Sequence, residues 1–141
     1  MVFGRSSKVA LLQKVPLFRA LSRRQLQEIA QLADVIDVSA GKRLATAGDT
    51  GYELFMIVDG SATVRTRGRT VSLGPGDFFG EMSLIDRGPR SATVEAATDM
   101  RLLVVGNRDF WRLLDAAPPL VVKIMRTLSQ RVRDAEASTS V

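Results

Sequence analysis

The 141-residue chain contains neither cysteine nor histidine. Without cysteine no disulfide can staple the fold and no thiolate metal site can form. Without histidine the commonest metal ligand and the commonest general base are both missing. A zinc hydrolase, a Ser-His-Asp enzyme and a histidine-clustered metal enzyme of the cupin type are excluded on that ground, and the chain is not read as an enzyme. Carboxylates alone could hold magnesium or calcium, but no acidic loop of the EF-hand type is present. Neither metal nor cofactor is expected. Long hydrophobic runs are also missing. The longest, Leu54–Val58 and Leu102–Val105, fall far short of the roughly 20 residues that cross a bilayer. The N-terminus lacks the apolar core of a secretory signal. The expectation is a cytoplasmic protein without membrane contact.

What is present is a globular balance, 45% hydrophobic and 25% charged, in a length that suits one domain. The net charge of +5 is uneven. Residues 1–40 carry six basic and three acidic groups, residues 41–106 eight of each, and residues 107–141 six and four. The basic surplus thus lies in the terminal segments and reads as solvated helix faces rather than a nucleic-acid footprint. No direct nucleic-acid contact is expected.

The periodicity changes twice along the chain. Residues 5–15 read as a short helix or arm ending near Pro16. Ser22 then caps a helix in which Leu26, Ile29, Ala30 and Ala33 recur at helical spacing. From Val35 the pattern alternates. Short strands are punctuated at Gly48-Asp49, Asp59-Gly60, Arg67-Gly68 and Gly74-Pro75-Gly76, and Asp59-Gly60 is a hairpin signal. "SATVEA" and "MRLLVV" add two more strands. Asn107 is the expected N-cap of the next helix, and Pro118-Pro119 separates it from a last one. There Val121, Ile124, Met125, Leu128 and Val132 suggest one apolar stripe. The reading is α+β: an antiparallel, jelly-roll-like β-barrel over 34–106, flanked by N-terminal helices within 1–33 and C-terminal helices within 107–137, in a single domain over 1–141.

The stretch "GDFFGEMSLIDRGPRSATV", 76–94, carries the chemistry. Gly80 permits close backbone approach. A short helical turn in "EMSLID" would expose N–H groups to an anion. Arg90 offers a planar fork of donors suited to phosphate, and Ser91 a hydroxyl. Glu81 is an acceptor for a hydroxyl. A ligand with a phosphate beside a sugar hydroxyl satisfies both ends, and a simple Glu81–Arg90 ion pair closing the loop satisfies the same spacing.

Phe79-Gly80-Glu81, Ser83-Leu84 and Pro89-Arg90-Ser91-Ala92-Thr93-Val94 resemble the phosphate-binding cassette, 79–94, of cyclic nucleotide-binding domains. Such domains occur in the catabolite activator protein, in regulatory subunits of cyclic-AMP-dependent kinase and in cyclic-nucleotide-gated channels. "LFRALSRRQLQEIA", "AGKRLATAGD", "LFMIVDGSATV" and "LGPGDFFGE" resemble family segments in the family's order, so the likeness covers about residues 15–135. It implies backbone contacts from Gly80 and Met82 and a Glu81 contact to the ribose 2′-hydroxyl. It also implies a phosphate held by Arg90, the Ser91 hydroxyl and the Ala92 N–H, and a base covered by the C-terminal helix through Thr127, Leu128, Arg131 or Arg133. Ser91 in place of threonine resembles the bacterial cyclic AMP pattern, so cyclic AMP rather than cyclic GMP is the expected ligand. Only nine residues follow Val132, too few for a helix-turn-helix. A stand-alone regulatory module is therefore expected, switching a protein partner or a second copy of itself through movement of its C-terminal helix. The alternatives are the sensor part of a truncated transcription regulator and a degenerate, ligand-free interaction domain.

Overall fold

The computed structural model describes residues 5–15, 18–66, 68–80, 90 and 92–139. The elements run α1 (Arg5–Gln13), α2 (Arg23–Leu32), β1 (Asp34–Val38), β2 (Arg43–Ala45), β3 (Glu53–Asp59), β4 (Ala62–Thr66), β5 (Arg69–Leu73), β6 (Phe78–Phe79), β7 (Thr93–Ala96), β8 (Met100–Gly106), α3 (Asn107–Ala116) and α4 (Pro118–Thr139). Side-chain placement on α1 is described from Lys8 onward, and on α4 it is not described at Arg131 or beyond Asp134.

The strands form two four-stranded antiparallel sheets, ordered β1-β8-β3-β6 and β2-β7-β4-β5. The expected closed barrel is corrected to a sandwich, because no strand of one sheet pairs with a strand of the other among the described residues. The signal at Asp59-Gly60 misled for a physical reason. Its glycine does take a positive φ of 87°, but the turn sends the chain from the first sheet to the second instead of closing a hairpin. The β3–β8 register slips between Ile57 and Asp59, bending the strand out of its sheet. Ser61 N then donates to Thr98 Oγ1, and Ala97 N donates to Ser61 O. The corner therefore packs on the β7–β8 corner, where the chain crosses back. The hairpin joins β4 to β5, with Thr66 opposite Arg69 and Gly68 at φ 78°.

The first sheet is apolar on both faces, which explains the near-continuous run Leu54–Val58. Leu54, Met56, Phe78, Leu103 and Val105 join the core shared with the helices. Phe55, Ile57, Phe79, Leu102 and Val104 fill the space between the sheets with Ala45, Ala62 and Val94. At the solvent edge Asp37 and Arg101 are register partners and form a two-bond pair at 2.8 and 3.1 Å. The guanidinium holds the Asp37 carboxyl below its ordinary range through these hydrogen bonds.

The helices form where their caps and apolar faces agree. Ser22 Oγ accepts from Gln25 N while Gln25 Oε1 accepts from Ser22 N, a reciprocal capping box. Leu26, Ile29 and Ala30 face the core, and the Lys8 ammonium donates to the carbonyls of Ala30 and Ala33, satisfying the end of α2. Asn107 is not the N-cap of α3. Strand β8 runs to Gly106, which holds that position without a side-chain bond, and Asn107 N donates to Tyr52 O at 2.7 Å. The predicted stripe of α4 also divides. The helix meets the body through Leu120 and Ile124, with Leu128 partly covered, whereas Met125 and Val132 are 64% and 57% exposed. The buried face follows the i, i+4, i+8 row at 120, 124 and 128, and the second half of the helix extends past the core.

Gly60→Ala tests the corner. A Cβ there would collide with Asp99 O in addition to the positive-φ strain, whereas Gly41, at φ 90°, has open space around it. Gly41→Ala should cost about 1–2 kcal/mol from strain alone, and Gly60→Ala at least about 1 kcal/mol more, read as shifts in urea midpoints. Equal costs would show that the corner yields freely.

Candidate functional site

Arg90 is the buried charged side chain among the described residues, with 9% of its surface exposed. Removing a guanidinium from water is costly unless its surroundings replace the lost hydration. The fold supplies part of that replacement through backbone. Arg90 Nη1 donates to the Glu53 carbonyl at 3.2 Å, and the guanidinium carbon lies 5.7 Å from the centre of the Phe55 ring, within reach of a cation–π contact. The main chain of Arg90 is fixed as firmly. Its N–H donates to Asp49 O at 2.7 Å, and its carbonyl accepts from Gly48 N at 2.9 Å. The β2–β3 connection therefore clamps the residue from one side.

Gly80 closes the other side. It has φ 98°, and a Cβ at this position would collide with the Glu53 carbonyl and the Arg90 guanidinium. Here the absence of a side chain is a steric requirement. Phe79 precedes it with its ring in the inter-sheet core, 4% exposed and stacked on Phe55 at 4.9 Å and 14°. Phe79 stacks on Phe55 and the Arg90 guanidinium lies over the Phe55 ring, so the buried charge sits against an aromatic pair. Ala92 is half-buried just before β7.

The structure brings Phe79, Gly80 and Arg90 together. Glu81, Met82, Ser83 and Ser91 lie outside the described residues. Thr127 is on α4, half-buried, and its hydroxyl donates to Lys123 O at 2.9 Å, back onto its own helix. Arg131 lies on the same helix, and its side chain is not among those described. Sequence reasoning missed Gly48, Asp49, Glu53 and Phe55. Three of these act through backbone atoms, which leave no side-chain signature, and Gly48-Asp49 registers in sequence only as a turn. Among the described residues no group of acidic side chains could hold a metal ion.

A family model for the cyclic nucleotide-binding domain matches residues 35–117. The chain belongs to the cyclic nucleotide-binding domain family. It is 41% identical over 121 residues to a cyclic nucleotide-gated potassium channel of Rhizobium etli, covering 86% of this chain and 34% of the channel. It is 37% identical over 114 residues to a cAMP-dependent protein kinase regulatory subunit of Schizosaccharomyces pombe, covering 79% of this chain and 28% of the subunit. The catabolite activator protein of Thermus thermophilus superposes with a TM-score of 0.74 at 32% identity, over 87% of this chain and 61% of that one. The chain thus spans about a third of the length of these curated relatives.

Gly80→Ala should lower cyclic nucleotide affinity at least about tenfold, the equivalent of about 1.4 kcal/mol, because the new methyl displaces the guanidinium. Fluorescence titration of the variant beside wild type checks this. Wild-type affinity would show that the close approach of Gly80, Glu53 and Arg90 is irrelevant to binding.

Proposed function

We propose that the chain is a cyclic AMP-binding regulatory module that signals to a protein partner, or to a second copy of itself, through its C-terminal helix. The observation that carries the reading is the buried Arg90 guanidinium on its aromatic floor beside Gly80. An anion that reached this guanidinium would gain a charge-assisted, bidentate partner with little solvent competition. In this reading Arg90 pairs with the cyclic phosphate, the Ser91 hydroxyl and Ala92 N–H add donors, and Gly80 and Met82 contribute backbone contacts. Glu81 accepts from the ribose 2′-hydroxyl, with Phe79 and Ser83 completing the cassette. Thr127 and Arg131 on α4 are the candidates for contact with the base. Preference for cyclic AMP is supported by Ser91 after the cassette arginine and by the 37% identity to a subunit named for cAMP dependence. The catabolite activator protein likeness, over 61% of that chain, supports a second setting for the same module, as the sensor part of a longer regulator.

Calorimetric titration of the purified chain with cyclic AMP and cyclic GMP tests the ligand, with tighter binding of cyclic AMP expected. Arg90→Ala should weaken cyclic AMP binding by about 2–5 kcal/mol, while Arg87→Ala changes it little. Equal affinities for the two variants would remove Arg90 from the site.

Glu81→Gln keeps an acceptor but loses the charge, so a loss of about 1–3 kcal/mol is expected. The 2′-deoxy nucleotide should bind wild type poorly and lose less in the variant. A cycle that shows no coupling between the two changes would remove the ribose contact.

A further inference from the structure

We propose that Lys123 is a latch that couples the docking of α4 to the strand carrying Gly80. Its ammonium donates to the Gly76 carbonyl at 2.6 Å and lies 5.7 Å from the centre of the Phe78 ring. The acceptor is itself rigidly held. Gly76 N donates to Ile57 O, Ile57 N donates in return to Asp77 O, and Gly74 N donates to Asp77 Oδ2. The turn is thereby an extension of β3 and β6. Gly80 lies four residues beyond Gly76 in sequence, after Phe78 and Phe79, which pair with Met56 and Phe55. The Lys123 contact therefore ties α4 to the same short strand that brings Gly80 against Arg90.

Its place on the helix suits a latch. The neighbouring apolar anchors, Leu120 and Ile124, hold α4 to the helical core, whereas Lys123 reaches the sandwich. Past Leu128, Ser129, Gln130, Val132 and Arg133 are all exposed, so the outer half of the helix follows wherever this attachment holds the inner half. One charge-assisted bond that is also partly open to solvent is strong enough to bias a helix position and weak enough to release. A ligand that gains contacts from the docked helix binds less tightly when docking itself becomes unfavourable.

The coupling rests on the reading of Gly80 and Arg90 as part of a cyclic nucleotide site, and the test keeps the two apart. Amide exchange is measured on the full chain without nucleotide for wild type, Lys123→Met, Lys123→Gln and Arg126→Met. The methionine keeps the apolar stem over Phe78, the glutamine keeps a neutral donor, and Arg126 is an exposed neighbour. Amides 120–128 should exchange about tenfold faster in Lys123→Met, the weight of one charge-assisted hydrogen bond, and faster by a smaller factor in Lys123→Gln. Protection across β3 should be unchanged, and Arg126→Met should match wild type. Cyclic AMP affinity of Lys123→Met should fall about three- to tenfold by linkage. Unchanged exchange in both Lys123 variants overturns the latch. Faster exchange with undiminished affinity overturns its coupling to the site. Failure of the wild type itself to bind cyclic AMP removes the ligand reading and with it the coupling, and the ligand-free exchange then decides whether Lys123 controls α4 at all.

Discussion

Burial of β3 on both of its faces is the constraint on which the rest of the molecule depends. Successive side chains point to opposite sides of a strand. Leu54 and Met56 therefore enter the helical core while Phe55 and Ile57 enter the space between the sheets. Each fully buried side chain of this kind contributes about 1.5–3 kcal/mol relative to exposure, and a one-residue slip would exchange the two sets. The terminal helices are required because the outer face of this sheet is apolar, and the second sheet is required because the inner face is too.

The same strand surrounds Arg90. The inward face of β3 presents Phe55 to the guanidinium of Arg90, and its first residue presents the Glu53 carbonyl. Backbone bonds to Asp49 and Gly48 and the contact with Glu53 O hold Arg90 in place. At the opposite end of the neighbouring short strand, the Gly74–Asp77 turn is bonded back to Ile57. One strand thus supports Gly80 beside Arg90 and the turn that Lys123 of α4 contacts.

Local signals were legible where one short stretch of chain settles the outcome. The Ser22–Gln25 cap, the helical spacing of Leu26, Ile29 and Ala30, the arrest at Pro118, and the turn glycines with positive φ all follow from neighbours within four residues. The pattern around Gly80 and Arg90 was legible for the same reason, since residue type and order suffice to recognise it. Sheet membership was not. Asp59-Gly60 has the composition of a hairpin, and only the approach of Asp99 and the slip after Ile57 show that the chain changes sheets there. Asn107 has the composition of an N-cap, yet the pairing of β8 with β3 carries the strand one residue further and leaves that place to Gly106.

By itself the sequence determined the class of chemistry. The absence of histidine and cysteine, the alternation of short strands, and the cassette pattern around Arg90 are properties of composition and order, and no packing can alter them. Tertiary structure decided which groups meet. The Glu53 and Asp49 carbonyls reach Arg90, and Lys123 reaches Gly76 across 47 positions of chain, because sheet packing brings distant backbone together. Carbonyl groups are the same at every residue, so contacts of this kind exist only once the strands are in register.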